Sequence, residues 1–189
     1  MRLGLFSILA FSATLLFAHA APARAQGFIT PFIGFNAGGD AGCASLADCE
    51  DKRLNLGVAF GKTGGLFGFE EDVAYTSQFF GNTPGGDNAL LTVMSNLMIV
   101  VPAGPIQPYA LVGLGLIRPH VKLDPSSLVT DKNALGYDIG GGINIFPAHS
   151  VGVRADVRHF HTLQDVTLGL FSNDALDFWR ASAGVTFRF

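Results

Sequence analysis

Residues 178–189, FWRASAGVTFRF, decide the fold because apolar and polar side chains alternate from Trp179 to the end of the stretch. A repeat of two residues is typical of a β-strand with two different faces. One face carries Trp179, Ala181, Ala183, Val185, Phe187 and Phe189, and the other carries Arg180, Ser182, Gly184, Thr186 and Arg188. The first face suits lipid, and the second suits a small polar interior.

Seven more strand-like runs precede this stretch, each bounded by turn residues. They span residues 28–38, 54–62, 66–79, 89–101, 106–121, 134–146 and 151–163. Most reach the ~9 to 11 residues that a tilted strand needs to cross a bilayer. No window shows helical spacing of apolar residues for more than a few positions, so the pattern predicts an all-β protein.

The connections between these runs alternate in length along the chain. Residues 39–53, 122–133 and 164–177 are long, 80–88 are intermediate, and 63–65, 102–105 and 147–150 are tight. Long external loops and short periplasmic turns are typical of outer-membrane barrels. The sequence therefore predicts an eight-stranded antiparallel up-and-down transmembrane β-barrel. The three long connections and the intermediate one together hold ten acidic and four basic residues, which predicts an anionic external end.

Composition excludes other classes of protein. The 189 residues are 49% hydrophobic and 14% charged, yet the part after residue 25 contains no 18-residue apolar block. A membrane protein built from helices is therefore excluded. The net charge of -3, with no cluster of basic residues, predicts that nucleic acid is not a partner.

Residues 1–25 have the features of a signal peptide. Arg2 precedes an apolar run at residues 3–17, and Ala23-Arg24-Ala25 matches a cleavage site. The expected mature protein is one domain, residues 26–189. Cys43 and Cys49 lie within one polar segment and predict a local disulfide in an exported protein. A metal site is the weaker alternative, because two cysteines without a nearby histidine are an incomplete ligand set.

The inward faces of the predicted strands carry both signs of charge. An eight-stranded barrel is just wide enough to be filled by its own side chains, so these charges are predicted to neutralise one another as a plug. The alternative is a narrow, charge-lined pore. The predicted lumen network consists of Glu70, Asp72, Asp138, Arg154, Asp156, Arg158, Arg180 and Arg188.

Two places fit the alternation poorly. Residues 109–117 are apolar on both faces, and Glu71 falls on the expected lipid face beside Phe69 and Val73. A charge facing lipid is costly unless it lies near the interface. Either Glu71 lies there, or a β-bulge turns it inward.

Aromatic and histidine residues mark the expected ends of the strands. Phe79, Phe80, Phe178 and Trp179 predict one membrane-interface girdle, and Tyr109 and Phe146 predict the other. His159 and His161 share a strand face at the external end. They are interpreted as interfacial side chains, with a metal site or a catalytic base as alternatives.

These features resemble the small outer-membrane β-barrel proteins of Gram-negative bacteria, which include the OmpA transmembrane domain and the opacity-protein-like porin superfamily. The resemblance rests on the signal peptide, the eight runs, the Gly-rich stretches LVGLGL and YDIGGGINIF, and the final FWRASAGVTFRF. It implies an outer-membrane location, contact with lipid and lipopolysaccharide, and recognition of Phe189 by the barrel-assembly machinery. No cofactor is implied.

The resemblance favours a non-enzymatic envelope protein or a narrow porin-like barrel. A surface adhesin that acts through its external loops is the alternative. Outer-membrane lipid A deacylases are also similar, but they have His-x-Ser followed by Asn, where this chain has Thr162 and Leu163 after His159-Phe160-His161. That departure disfavours a lipid A-modifying enzyme. A soluble lipocalin-like carrier is disfavoured by the apolar outward faces.

Overall fold

The computed structural model describes residues 26–38, 53–79, 86–123, 128–131, 133–163, 166–168 and 171–189. The signal peptide of residues 1–25 and the cysteines Cys43 and Cys49 lie outside these ranges and stay predictions. Within them, no helix is long and apolar enough to cross a bilayer. The strands are β1 (Gln26–Ala37), β2 (Arg53–Gly64), β3 (Phe67–Ser77), β4 (Gly86–Val100), β5 (Ile106–Leu123), β6 (Leu128–Asp131), β7 (Ala134–Ile145), β8 (Val151–Thr162), β9 (Val166–Leu168), β10 (Phe171–Asp174) and β11 (Asp177–Arg188).

Eight of these strands form a closed antiparallel ring. Around the ring the order is β1, β2, β3, β4, β5, β7, β8 and β11, and β11 pairs with β1 to complete it. Short β6 extends one end of β5, and β9 pairs with β10 in a separate hairpin. The closed ring confirms the predicted eight-stranded up-and-down barrel, in which each of the eight strands pairs with a neighbour on both sides.

The tight turns all lie at one end of the ring. Gly65 between β2 and β3, and Gly104 between β4 and β5, have positive φ angles of 63° and 68° that favour glycine. A third short turn joins β7 to β8, and the main-chain groups of Gly27 and Phe189 bond to each other at the same end. The longer connections lie at the opposite end, as expected for short periplasmic turns and long external loops.

The alternation predicted from sequence separates the two faces of the wall. On β8, the odd-numbered side chains up to Val157 are exposed and the even-numbered ones are buried. Large apolar residues form an exposed belt that includes Ile33, Leu56, Phe69, Leu97, Val112, Ile139, Val153 and Val185. In this fold, that belt is the surface that meets lipid.

The two poorly fitting places have a structural explanation. β5 pairs with β4 and β7 in continuous register, and its inner face is apolar because it contacts apolar layers of the interior. The bulge alternative for Glu71 is wrong, since β3 pairs with β4 without a shift. Glu71 lies on the outer face, midway between Phe67 and Tyr75, and both of its carboxylate oxygens accept from Ser95 Oγ at 2.9 Å.

Candidate functional site: the barrel interior

Side chains fill the interior in layers along the barrel axis. Near the external end, an apolar cluster combines Phe79, Leu90, Met94, Ile117, Phe160, Leu176 and Phe178. Near the periplasmic end, a second cluster combines Phe28, Met98, Val100, Tyr109 and Leu111. Between them lies a layer of charged side chains that are almost completely buried. We call these the external layer, the periplasmic layer and the charged layer.

The apolar layers correct the predicted aromatic girdles. Phe79 and Phe178 are buried in the external layer, and Tyr109 and Phe146 are also buried inside the barrel. Of the six predicted girdle residues, Trp179 is exposed on the outer wall, and Phe80 lies outside the described residues. Neighbouring residues of a strand point to opposite faces, so only one of two adjacent aromatic side chains can face lipid. Phe178 shares the inner face with Arg180, whereas Trp179 does not.

Arg158 lies at the centre of the charged layer and contacts three carboxylates. Its Nη2 lies 3.0 Å from Glu70 Oε1 and 3.2 Å from Asp156 Oδ2, and its Nη1 lies 3.3 Å from Asp72 Oδ2. The Arg158 side chain is 1% exposed, and those of Glu70 and Asp72 are 0% exposed. At this depth a charge without partners would be expensive, so mutual pairing is a condition for folding.

Two further arginines complete the pairing. Arg154 bridges Glu70 and Asp156, with its Nε 3.0 Å from Asp156 Oδ2, and Tyr109 donates its hydroxyl to the same oxygen at 2.8 Å. Arg180 donates from Nη2 to Asp72 Oδ2 at 2.8 Å.

The same arginines join the charged layer to the apolar layers. The guanidinium carbon of Arg154 lies 4.6 Å from the ring centre of Tyr109 in the periplasmic layer. That of Arg180 lies 4.8 Å from the ring centre of Phe160 in the external layer. Cation–π contacts of this kind are stronger when they are shielded from water, so the three layers stabilise one another.

Several of the ion pairs cross the barrel. Glu70 lies on β3, whereas Arg154 and Arg158 lie on β8, which is four strands away in either direction around the ring. These side chains therefore meet along a diameter and join two opposite walls. This arrangement depends on barrel closure and could not be inferred from any single strand.

The structure brings seven of the eight predicted network residues together. Asp138 is among them, 3.7 Å from Arg158 Nη1, but it makes no hydrogen bond. Arg188 is the exception and does not reach the charged layer. Its guanidinium lies 3.2 Å from the ring centre of Phe146 and hydrogen-bonds Gln107 near the periplasmic mouth.

Among the residues that the structure describes, side chains of the charged layer and the two apolar layers fill the interior. A cavity at the periplasmic mouth has room for about one water molecule, with Arg154, Arg188, Phe146 and Met98 among its lining residues. On the external side, the stacked rings of Phe160 and Phe178 have centres 4.9 Å apart, and Phe79 meets Phe178 edge-on at the same distance. The arrangement is that of a packed core.

A second polar cluster lies on the outer wall at the external end. His159 Nε2 and His161 Nδ1 lie 2.9 Å and 3.1 Å from Asp177 Oδ2, and the ring centre of Trp179 is 4.8 Å from that of His159. Partial burial acts to raise the pKa of Asp177, but hydrogen bonds from the two histidines lower it below its usual value. In the described part of the chain, no three His, Cys, Asp or Glu side chains are placed to hold a metal ion.

Thr162 does not supply a hydroxyl to this cluster. It points into the barrel, is buried, and accepts a hydrogen bond from the Leu176 amide at 2.7 Å. The His159–His161 pair therefore faces away from it, because neighbouring positions on a strand point to opposite faces.

The architecture agrees with a known family. The profile of the family described as "Outer membrane protein beta-barrel domain" matches residues 9–189. The chain belongs to this family. Its location is therefore the outer membrane, where the apolar belt of an outer-membrane barrel lies in the lipid. A search of curated protein sequences finds no match.

Solved structures of other outer-membrane barrels share the fold. Neisserial surface protein A is similar, with 17% identity over 87% of this chain and 96% of its own, and a TM-score of 0.59. The N-terminal β-barrel domain of Pseudomonas aeruginosa OprF has 15% identity over 87% and 97%, with a TM-score of 0.54. Ail of Yersinia pestis, in complex with the heparin analogue sucrose octasulfate, has 12% identity over 86% and 99%, with a TM-score of 0.55.

Proposed function

We propose that this protein is a non-enzymatic, non-conducting outer-membrane barrel of a Gram-negative envelope. The observation that carries the proposal is the filled interior: the side chains of the charged layer pair with one another, and an apolar layer lies on each side. An ion-conducting pore needs polar groups that are open to water along its length. Here the buried charges contact one another, so the protein's interactions take place on its outer surfaces.

A non-enzymatic role is supported by the geometry of the His159–His161–Asp177 cluster on the outer wall. Acyl transfer or hydrolysis by this cluster would require a nucleophile beside the base. The hydroxyl next in sequence, that of Thr162, points into the interior and is already hydrogen-bonded. His159, His161 and Asp177 are instead placed at the level of Trp179, where interfacial side chains meet lipid head groups.

The expected partners follow from the surfaces. Outer-membrane lipid and lipopolysaccharide would surround the apolar belt, after export directed by residues 1–25. The barrel-assembly machinery would read Phe189, whose side chain is 80% exposed beside the last ladder of the barrel. A disulfide between Cys43 and Cys49 would close a loop at the external end.

The decisive experiment is single-channel conductance of detergent-refolded protein in a planar bilayer. Heat-dependent gel migration first confirms that the protein is folded, and a larger porin inserted under the same conditions confirms that openings are detectable. We expect folded protein to give no discrete current steps. Reproducible steps that disappear when the protein is unfolded would overturn the non-conducting proposal and favour the porin-like alternative.

Surface recognition is the second candidate function. β4 and β5 continue past the level of Tyr75, Leu91 and Arg118 for five more residue pairs, from Leu90↔Pro119 to Gly86↔Leu123, and β6 widens this ribbon. A β-ribbon that extends beyond the apolar belt offers contact area at the external end. The excess of acidic residues in the long loops favours a neutral or cationic partner over a polyanion.

Loop deletion tests this second candidate. Cells expressing the protein without residues 124–127 would be compared with cells expressing the intact chain for attachment to surfaces. Heat-dependent gel migration of both proteins serves as the control for folding. Loss of attachment with a folded barrel would support recognition through this end, and unchanged attachment would count against a role for the ribbon.

A further inference from the structure

We infer that Asp138 is a neutral carboxylic acid in the folded barrel and that its proton forms a hydrogen bond with Asn96 Oδ1. The charged layer then holds one bound proton. Protonation of Asp138 inside the barrel does not depend on whether the external end recognises a partner.

The charged layer contains more acids than arginines. Four acids, Glu70, Asp72, Asp138 and Asp156, share the layer with three arginines, Arg154, Arg158 and Arg180. Arg188 does not contribute, because it lies at the periplasmic mouth against Phe146. An uncompensated charge in a dry interior is costly, so one of the four acids is expected to bind a proton.

Hydrogen bonding identifies Asp138 as that acid. Glu70 contacts Arg154 and Arg158, and Asp72 contacts Arg158 and Arg180. Asp156 contacts two arginines and also accepts from Tyr109 and Ser182. Asp138 is 0% exposed, yet neither of its carboxylate oxygens has a hydrogen-bond partner, and its nearest arginine nitrogen is 3.7 Å away.

The register explains why Asn96 is the partner. Glu70, Asn96, Gly113 and Asp138 lie opposite one another on four adjacent strands, β3, β4, β5 and β7. Gly113 has no side chain, so the side chains on either side of it approach each other. Asn96 Oδ1 and Asp138 Oδ1 are the two nearest atoms to the point that a Cβ of residue 113 would occupy.

The amide of Asn96 has one donor side and one acceptor side. Its Nδ2 donates to Glu70 Oε1 at 3.2 Å, and its Oδ1 has no donor. Two oxygens facing each other repel unless one carries a proton. Reversing the amide would move this conflict to Glu70, which two arginines already hold as a carboxylate, so the orientation with Nδ2 toward Glu70 is favoured. In that orientation the proton belongs on Asp138.

The surrounding elements supply both signs of charge. Glu70 and Asp72 on β3 disfavour a negative charge on Asp138, whereas Arg158 on β8 and Arg180 on β11 favour it. Both arginines are already engaged by other carboxylates. On β4 and β5 the facing residues are neutral Asn96 and Gly113. Arg158 Nη1, Arg180 Nε and Arg180 Nη1 lack hydrogen-bond partners, but none of them hydrogen-bonds Asp138, whose nearest arginine nitrogen is 3.7 Å away.

Infrared spectroscopy tests the inference directly. Refolded protein is labelled with aspartate that carries ¹³C at the side-chain carboxyl, and spectra are recorded at neutral pH, where exposed carboxyl groups are ionised. We expect one carbonyl band of a protonated acid that moves with the aspartate label. Absence of such a band in the folded protein would overturn the inference without any variant.

Variants assign the band to a residue. The band should disappear in Asp138→Asn and persist in Glu71→Gln, which changes the carboxyl group on the outer wall. Asn96→Leu should shift the band without removing it, because the acid keeps its proton but loses its acceptor. Persistence of the band in Asp138→Asn would overturn the assignment. If that variant does not fold, an unshifted band in Asn96→Leu would overturn it instead, because Asp138 is the aspartate beside Asn96.

The pH dependence of unfolding gives a second readout. If Asp138 is ionised in the unfolded chain and protonated in the barrel, the wild-type protein takes up one proton when it folds. The Asp138→Asn variant has no carboxyl group at this position and does not take up that proton. Stability then falls as pH rises: relative to the variant, the wild-type unfolding constant should increase by up to about tenfold per pH unit above pH ~4. Parallel pH profiles for the two proteins would contradict a bound proton.

Discussion

The inner and outer faces of β8 differ in what they require of a side chain, although both belong to the same strand. On the inner face, Arg154 and Arg158 contact Glu70 on the opposite wall at 2.5 Å and 3.0 Å. On the outer face, Val153 and Val157 are exposed on the wall that meets lipid. Outer positions therefore need only apolar character, whereas inner positions need a particular charge and shape.

Removal of Arg158 from the inner face should cause the largest loss in the free energy of unfolding. Arg158→Ala leaves Glu70, Asp72 and Asp156 with fewer cations in a buried layer. We expect a loss of ~3 to 5 kcal/mol in the free energy of unfolding, measured by urea unfolding of detergent-refolded protein. The matched control is Val157→Ala on the outer face, with an expected loss under about 1 kcal/mol because lipid replaces the lost contacts. Equal losses for the two variants would remove the contrast between the faces.

A charge on the outer face should be the next most disruptive change. Ala183 lies on the outer face midway between Trp179 and Phe187, within the apolar belt. Ala183→Arg should cost ~2 to 4 kcal/mol, the range for an arginine that faces lipid near the bilayer midplane. Ala183→Leu is the control and should have little effect. Refolding into lipid vesicles gives both values, and a neutral result for arginine would contradict the lipid-facing assignment.

Adding a single methyl group should destabilise the barrel more at an inner position than at an outer one, with smaller losses than the changes of charge. A Cβ at Gly113 would clash with Asn96 and Asp138, whereas a Cβ at outward-facing Gly141 would lie 3.0 Å from the Tyr109 carbonyl oxygen. We expect Gly113→Ala to lower the free energy of unfolding by ~1 to 3 kcal/mol through overpacking. The loss for Gly141→Ala should be smaller, and the reverse order in thermal unfolding would show that the row across Gly113 is not closely packed.

The smallest expected effect concerns Asp177 at the external end. Its pKa is lowered by His159 and His161, so its contribution to stability is present at neutral pH and is lost as pH falls below about 4. Because the Asp177 side chain is 42% exposed, solvent screens the interaction, and the contribution should be only ~0.2 to 1 kcal/mol. Comparing Asp177→Asn with wild type by urea unfolding at pH 7 and pH 3 tests this. The difference between the two proteins should be larger at pH 7.

Much of the wall could be predicted from the sequence, because alternation is a local property. The last strand shows this: its predicted faces agree with the burial of Arg180 and the exposure of Trp179. The same local pattern predicts which charged side chains point inward, although it does not identify their partners. The alternation of short and long connections then predicts which turns and loops share an end of the barrel, and this determines the up-and-down topology.

The contacts inside the barrel could not be predicted, because they depend on how far each strand is staggered around the ring. Glu70 meets Arg158 across the diameter, and the pairs that form there follow from closure. Arg188 has the right parity but lies too close to the periplasmic mouth to join the charged layer. The apolar residues on the inner face of β5 contact the two interior layers that contain no charge, which explains why both faces of this strand are apolar.

The ion pairs along the barrel diameter have a mechanical consequence. In a ring where each strand bonds only to its two neighbours, the cross-section can flatten into an ellipse without breaking a ladder hydrogen bond. The contacts of Glu70 on β3 with Arg154 and Arg158 on β8 resist that deformation, because flattening the ring would pull apart or compress buried charges. The charged layer therefore fixes the cross-sectional shape of the barrel against the lateral pressure of the surrounding lipid.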